Sequence, residues 1–271
     1  MTFHALCSIE AGTSTVWCAQ LLAHSWRRAD QPEPLTFLSA GGLADVDPDF
    51  EVVQTEQASE ADGNHYPPYN KPSSIAQWLL VAQPPDDLPI LVLDPDMVVL
   101  ERFQAPGCGP GRAVAHGPWA YHDNPDYLGI TSDEISRRCR SPELLQSVGV
   151  PLLICAGDLR ATLQGWMDHT WRLRRAGLPR SDPWCAEMVG YCMAAAEQGI
   201  RHQMSTWGEE PLLHYMGASP GALYLEPWVW NKYSHRPWDP LPPLPSDAPL
   251  RAHRFAALYN ELRSRKLGEL A

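Results

Sequence analysis

Two aspartates one residue apart, Asp94 and Asp96, are the residues of this sequence best suited to chemistry. They follow an uninterrupted apolar run, residues 90–93 (Ile-Leu-Val-Leu). Such a run is typical of a fully buried strand, and open α/β sheets bind ligands at the carboxyl ends of their strands. Carboxylates are costly to desolvate there unless they meet a cation. The segment therefore suits a divalent ion that bridges a diphosphate, although an ordinary strand-to-turn Asp-Pro-Asp has the same appearance.

Three other side chains have the chemistry to act beside these aspartates. Lys71 opens a predicted helix, whose free N–H groups and partial positive charge suit a phosphate; the alternative is a solvated lysine. His214 ends an apolar run and can complete a metal sphere as a neutral imidazole, or it can be a core histidine. Glu187 lies at the start of another helix, as a catalytic or acceptor-binding carboxylate or as a partner of the helix dipole.

The composition limits the class of protein. The 271 residues include 21 Lys and Arg and 32 Asp and Glu, which gives a net charge of −11 and argues against general electrostatic binding to nucleic acid. The sequence contains no apolar run of about 18 residues, so it predicts no membrane span, and the N-terminus lacks the basic and apolar parts of a signal peptide. Seven scattered cysteines without a Cys-x-x-Cys suit reduced thiols. We therefore expect a soluble, acidic, cytoplasmic protein.

Strands alternate with helices along the first hundred residues, which favours a mostly parallel sheet flanked by helices. The sequence predicts an α/β fold, Rossmann-like, in a single domain. Predicted strands cover residues 3–9, 34–40, 50–54, 90–93, 113–116, 152–156, 202–206 and 211–216. Predicted helices begin after Thr13 or Ser14, at Asn70, within 134–148, near Asp158 as a cap, at 183 and at 251.

Several segments together carry a family resemblance. They are residues 4–10, 66–72 (Tyr-Pro-Pro-Tyr-Asn-Lys-Pro), 93–97 (Leu-Asp-Pro-Asp-Met), 184–191 (Trp-Cys-Ala-Glu-Met-Val-Gly-Tyr), 213–215 and 228–232 (Trp-Val-Trp-Asn-Lys). In this order, and over most of the chain to about residue 235, the sequence resembles the plant and algal hydroxyproline O-arabinosyltransferases and peptidyl serine α-galactosyltransferases. The Asn-Lys-Pro block followed by Asp-x-Asp is the more specific part of the match.

The resemblance implies a GT-A fold, a UDP-linked sugar as donor, Mn²⁺ or Mg²⁺, and transfer with retention. It also implies a role for Glu187 at the acceptor or reaction centre, with Asp94 close to the reacting sugar. The implied donor-site residues are Ser8 and Glu10 near the base, Asn70, Lys71 and Lys232 near the diphosphate or donor sugar, Asp96 and His214 on the metal, and Asp94 on the ribose or sugar.

Taken together, these features predict a metal-dependent glycosyltransferase acting on a hydroxyl of a peptide, of hydroxyproline or serine, or of a small molecule. We expect one domain over residues 1–271, with a nucleotide-sugar-binding half (1–118), an acceptor-side half (119–250) and a C-terminal helix (251–271). One rival is a metal-dependent nucleotidyltransferase or phosphohydrolase, which also places aspartates at a strand end. The other is a carbohydrate-binding module, favoured by the many aromatic residues. No membrane or nucleic-acid partner is expected.

Overall fold

A computed structural model describes residues 2–60, 63, 65–117, 131–176, 184–205, 211–215 and 236–269 of the chain. The strands in these ranges are β1 (His4–Glu10), β2 (Leu35–Ala40), β3 (Glu51–Thr55), β4 (Pro89–Leu93), β5 (Met97–Val99), β6 (Arg112–His116), β7 (Gly149–Cys155), β8 (Arg201–Ser205) and β9 (Leu212–His214). The α-helices are α1 (Thr15–Arg28), α2 (Asn70–Ala82), α3 (Ser132–Arg138), α4 (Ala156–Arg174), α5 (Ala186–Glu197) and α6 (Leu250–Glu269).

Seven strands form one sheet in the order β3-β2-β1-β4-β7-β6-β8. Strands β1 to β4 are mutually parallel, β7 runs antiparallel to both of its neighbours, and β8 is parallel to β6. The carboxyl ends of β1 and β4 therefore meet at one edge of the sheet, where β7 begins. The predicted α/β fold with a mostly parallel sheet is confirmed.

Side chains of β1 alternate between two cores, as expected for a strand buried on both faces. Ala5 and Cys7 pack with α1 on one face, in a core that also holds Trp26. Leu6 packs on the other face with α2, α4 and α5, in a core that also holds Trp166. Packing on both faces holds the sheet in place, and with it the edge where β1 and β4 end.

A separate two-stranded ribbon joins β5 and β9. The two strands are antiparallel, with Met97 opposite His214 and Val99 opposite Leu212. The backbone N–H of Tyr215 extends the pairing by donating to the carbonyl of Asp96 over 3.0 Å. Residues far apart in sequence are thereby brought side by side.

The structure changes two of the sequence-based expectations. The apolar stretch after the Asp-Pro-Asp segment is a strand of its own, β5, which had not been predicted. Asp158 was expected to cap a helix, but α4 begins at Ala156 after Cys155, so Asp158 lies in the first turn. There its carboxylate accepts a hydrogen bond from the N–H of Gly111 over 2.7 Å, which joins α4 to the loop before β6.

Other predicted elements agree with the structure to within a few residues. The predicted C-terminal helix is α6, and the predicted boundary between the two halves falls within residues 118–130, outside the described ranges. All seven cysteines are free. Among the described residues, none of the helices has the length and apolar character needed to cross a membrane.

Candidate active site

A cavity of about 540 Å³ opens at the sheet edge where β1 and β4 end. Its volume is in the range of pockets that hold a small ligand. The polar part of its lining includes Ser8, Glu10, Asn70, Lys71, Asp94, Asp96, Glu187 and His214. Its apolar part includes Trp17, Pro67, Pro68, Val150, Trp184 and Met188. The cavity can therefore contact both charged and apolar parts of a ligand.

Asp94, Asp96 and His214 form a cluster suited to a metal ion. One ligand atom from each lies within 4.8 Å of the other two. The Nε2 atom of His214 is 3.2 Å from Oδ1 of Asp96 and 3.7 Å from Oδ2 of Asp94. The pairing of β5 with β9 creates this cluster, because it sets His214 beside the residue that follows Asp96.

The chemistry of this cluster fits a divalent cation. Burial lowers the pKa of His214 to about 4, so its imidazole is neutral at pH 7 and has a lone pair to offer. Two carboxylates and one imidazole are a common donor set for such ions. Lys71 is the only lysine or arginine among the described residues that line the cavity. One ammonium group leaves the buried carboxylates there with excess negative charge, which a divalent ion would offset.

Lys71 joins this cluster to Glu187. Its Nζ atom is 2.7 Å from Oδ1 of Asp94 and 3.2 Å from Oε2 of Glu187, and both Lys71 and Glu187 are buried. Burial alone would lower the pKa of Lys71, but the two carboxylates outweigh it and raise that pKa above its usual value. Burial and the charge of Asp94 raise the pKa of Glu187, against the opposing effect of Lys71.

The position of Glu187 depends on two aromatic side chains from other elements. The backbone N–H of Glu187 donates to the Tyr66 hydroxyl over 3.0 Å, and that hydroxyl donates to the carbonyl of Trp184 over 2.6 Å. The indole N–H of Trp166 donates to the carbonyl of Glu187 over 2.9 Å. Cys185, the N-cap of α5, makes no side-chain hydrogen bond to the first turn. The Tyr66 hydroxyl instead accepts a hydrogen bond from a free N–H of that turn.

A second polar cluster lies at the end of β1. Oε1 of Glu10 accepts hydrogen bonds from Gln57 over 2.7 Å and from the Ser59 hydroxyl over 2.8 Å. Asn70 holds the same loop, because its Oδ1 accepts from the N–H of Ser59 over 3.0 Å. Oε2 of Glu10 and Nδ2 of Asn70 are buried without a hydrogen-bond partner in the described part of the chain, while His65 lies 3.5 Å from Oε2. One acceptor and one donor are thus available to a ligand.

The structure brings together every predicted site residue that it describes. Ser8, Glu10, Asn70, Lys71, Asp94, Asp96, Glu187 and His214 all line the one cavity. Lys232 lies outside the described residues.

Sequence reasoning missed the supporting residues. Gln57 and Ser59 lie in a polar stretch without periodicity, so no local signal marked them. Tyr66 belongs to the motif at residues 66–72, but the sequence gives it no predicted role, and no local signal singles out Trp166.

Comparison with known proteins relates the sequence to a family. Residues 3–204 match the Hydroxyproline O-arabinosyltransferase family N-terminal domain. An Arabidopsis thaliana protein named peptidyl serine alpha-galactosyltransferase is 26% identical over 263 residues, covering 86% of this chain and 32% of that protein. A Chlamydomonas reinhardtii protein of the same name is 29% identical over 193 residues, covering 58% of this chain and 25% of that protein. The chain thus spans about a third or less of the length of these relatives.

The fold is similar to that of a solved glycosyltransferase. The crystal structure of the galactosyltransferase LgtC, in complex with donor and acceptor sugar analogues, superposes with a TM-score of 0.52 at 12% identity and covers 96% of both chains. At this identity the likeness shows a shared GT-A fold. The family match covers most of the sequence, including both aspartates at the end of β4. The chain therefore belongs to the hydroxyproline O-arabinosyltransferase family.

Proposed function

We propose that this protein is a metal-dependent glycosyltransferase, which moves a sugar from a UDP-linked donor to a hydroxyl of a peptide or peptide-like acceptor. The observation that carries the proposal is the cluster of Asp94, Asp96 and His214 at the end of a strand, beside a buried lysine in a ligand-sized cavity. The family favours this reading over a phosphohydrolase or a carbohydrate-binding module.

The proposed metal site would stabilise the leaving group. Asp96 and His214 would bind Mn²⁺ or Mg²⁺, and the imidazole nitrogen suits Mn²⁺ better, since Mg²⁺ prefers an octahedron of oxygens. Such an ion supplies charge stabilisation to the departing diphosphate. Asp94 would accept a hydrogen bond from a ribose or sugar hydroxyl, and Lys71 holds that carboxylate in place at 2.7 Å. Catalysis then rests on electrostatic stabilisation of the charge that grows as the glycosidic bond breaks.

The cluster at the end of β1 suits the nucleotide base. The uracil ring carries an N–H donor next to carbonyl acceptors. Oε2 of Glu10 can accept from such a donor, and Nδ2 of Asn70 can donate to such an acceptor, which would satisfy two buried groups at once. Ser8, on the same strand, also lines this part of the cavity.

Glu187 faces the reaction centre from the other side of Lys71. Its burial and its ion pair suit a carboxylate that positions the donor sugar or the acceptor. Retention is proposed because the relatives are named alpha-galactosyltransferases. Their names also support a peptidyl hydroxyl as acceptor. Lys232 is proposed as a second cation for the diphosphate. The cytoplasmic location stays a prediction, supported by seven free thiols.

A calorimetric donor screen tests the proposal. UDP-galactose, UDP-glucose, UDP-arabinose and GDP-mannose are titrated in Mn²⁺ and in EDTA, against the wild type and Asp96→Ala. The matched control is Asp87→Ala, an exposed aspartate just before the opposite end of β4. The expected result is binding of a UDP-sugar that requires Mn²⁺, is lost in Asp96→Ala and persists in Asp87→Ala. Failure of every donor to bind in the presence of metal would contradict the proposal.

A further inference from the structure

The ribbon of β5 and β9 holds two of the three candidate metal ligands, yet it is not part of the main sheet. Asp96 immediately precedes β5 and His214 ends β9, and each strand is only three residues long. A short two-stranded ribbon is marginally stable on its own. The distance between Asp96 and His214 therefore depends on the surfaces against which the ribbon packs.

Helix α1 holds the β5 side of the ribbon. The N–H of Val99 donates to the buried hydroxyl of Ser25 over 2.9 Å, so this strand is fixed by a hydrogen bond as well as by packing. Both strands also contribute to a third hydrophobic cluster, which buries Val98 of β5 and Leu213 of β9 together with Tyr215, with residues of α1, and with Phe255 and Tyr259 of α6. The C-terminal helix thus belongs to the cluster against which the ribbon packs.

The contact between Tyr215 and Phe255 is the most direct link from α6 to the metal ligands. The two ring centroids are 5.1 Å apart, and Phe255 is fully buried. Tyr215 follows His214 in the chain, and its N–H donates to the carbonyl of Asp96. A shift of the Tyr215 backbone would therefore move both ligands.

No residue of α6 lines the cavity in the described part of the chain, and the family match ends at residue 204, before both His214 and α6. Its effect on the site can only be indirect. We propose that α6 is a positioning element of the metal site and that Phe255 is its main positioning residue, acting through Tyr215 on Asp96 and His214. The inference rests on the proposed function, because it presumes that these ligands bind a divalent ion.

The proposal has a reciprocal consequence. If α6 favours the arrangement of ligands that binds metal, then metal binding must stabilise the packing of α6 by the same coupling free energy. Protection of the amides of α6 against hydrogen exchange should therefore increase when Mn²⁺ and UDP are added, although neither would contact that helix.

The experiment measures the Mn²⁺ dissociation constant by calorimetry and the Mn²⁺ signal by electron paramagnetic resonance in the full chain. The variants are Phe255→Ala, the milder Phe255→Leu and the control Leu159→Ala. Leu159 is a fully buried residue of α4 that does not line the cavity. Urea unfolding gives the stability of each variant, and hydrogen exchange is followed in the wild type with and without Mn²⁺ and UDP.

We expect Phe255→Ala to weaken Mn²⁺ binding about tenfold or more, as supporting residues around metal ligands do, with partial recovery in Phe255→Leu and little change in Leu159→Ala. Should Phe255→Ala fail to fold, Phe255→Leu and the protection of α6 in the wild type decide the question. Equal weakening in Phe255→Ala and Leu159→Ala, or unchanged exchange in α6, would overturn the inference. A wild type that binds no Mn²⁺ would instead overturn the proposed function.

Discussion

Replacing Lys71 with methionine removes the ammonium group that joins Asp94 to Glu187. At an effective dielectric constant of about 20, charges 2.7 Å and 3.2 Å apart attract by about 6 and about 5 kcal/mol. The cost of desolvating the ammonium group, several kcal/mol, offsets part of this attraction. Since the variant leaves two carboxylates without their cation, we expect the free energy of unfolding to fall by about 3–5 kcal/mol at pH 8 without metal.

Urea unfolding at several pH values measures this loss. Loss of Lys71 raises the pKa of Glu187 further, because burial already raises it and the opposing charge is gone. Protonation then relieves the penalty, so the destabilisation should be smaller at pH 5 than at pH 8. Adding Mn²⁺ should also reduce it, since the ion supplies the missing positive charge near Asp94.

The control is Lys266→Met. Lys266 lies 3.0 Å from Glu269 at the end of α6, a pair of similar length whose carboxylate is half exposed. Its removal should cost about 1 kcal/mol or less, as for other surface pairs. A loss in Lys71→Met that matches the control, or that is the same at pH 5 and pH 8, would refute the reasoning.

Three other predictions concern the surroundings of the site. Tyr66→Phe leaves the N–H of Glu187 without its acceptor. Urea unfolding should show a free energy of unfolding lower by about 1–3 kcal/mol, and donor turnover should also fall. Gly190→Ala should destabilise by about 1–3 kcal/mol, because its Cβ would lie 2.5 Å from Oγ1 and 2.9 Å from the backbone N of Thr170; unchanged stability would contradict this close packing of α4 and α5. Burial lowers the pKa of His202 from 6.5 to about 4, so the unfolded chain binds more protons than the folded one between these pH values. The free energy of unfolding should therefore fall as the pH drops through that window, by up to about 1.4 kcal/mol per pH unit. His202→Gln should flatten this pH dependence in urea unfolding.

The fold was predictable where the chain carries a local signal. A continuous apolar run marked β4 and placed Asp94 at a strand end, and mostly apolar runs marked β1 and β2. The parallel pairing of β1 with β4 sets Glu10 and Asp94 at one edge of the sheet. The place of Asp94 follows from the apolar run before it, whereas the place of Glu10 in the site was implied by the family resemblance.

The site's supports were not predictable in the same way. The ribbon of β5 and β9 joins segments more than a hundred residues apart, and each strand is too short to show a period. Tyr66 reaches Glu187 across a similar separation through one hydroxyl. Such contacts follow from tertiary packing and leave no mark on local spacing. His214 could therefore be predicted as a metal ligand, whereas the strand pairing that places it beside Asp96 could not.

The most direct test of the account is an anomalous difference map of crystals grown with Mn²⁺ and UDP, recorded near the manganese absorption edge. The account predicts a manganese peak within coordination distance of Asp96 and His214, with the diphosphate of UDP on the same ion. A peak bound by other residues, or UDP bound in the cavity without an ion between its phosphates and Asp96, would contradict it.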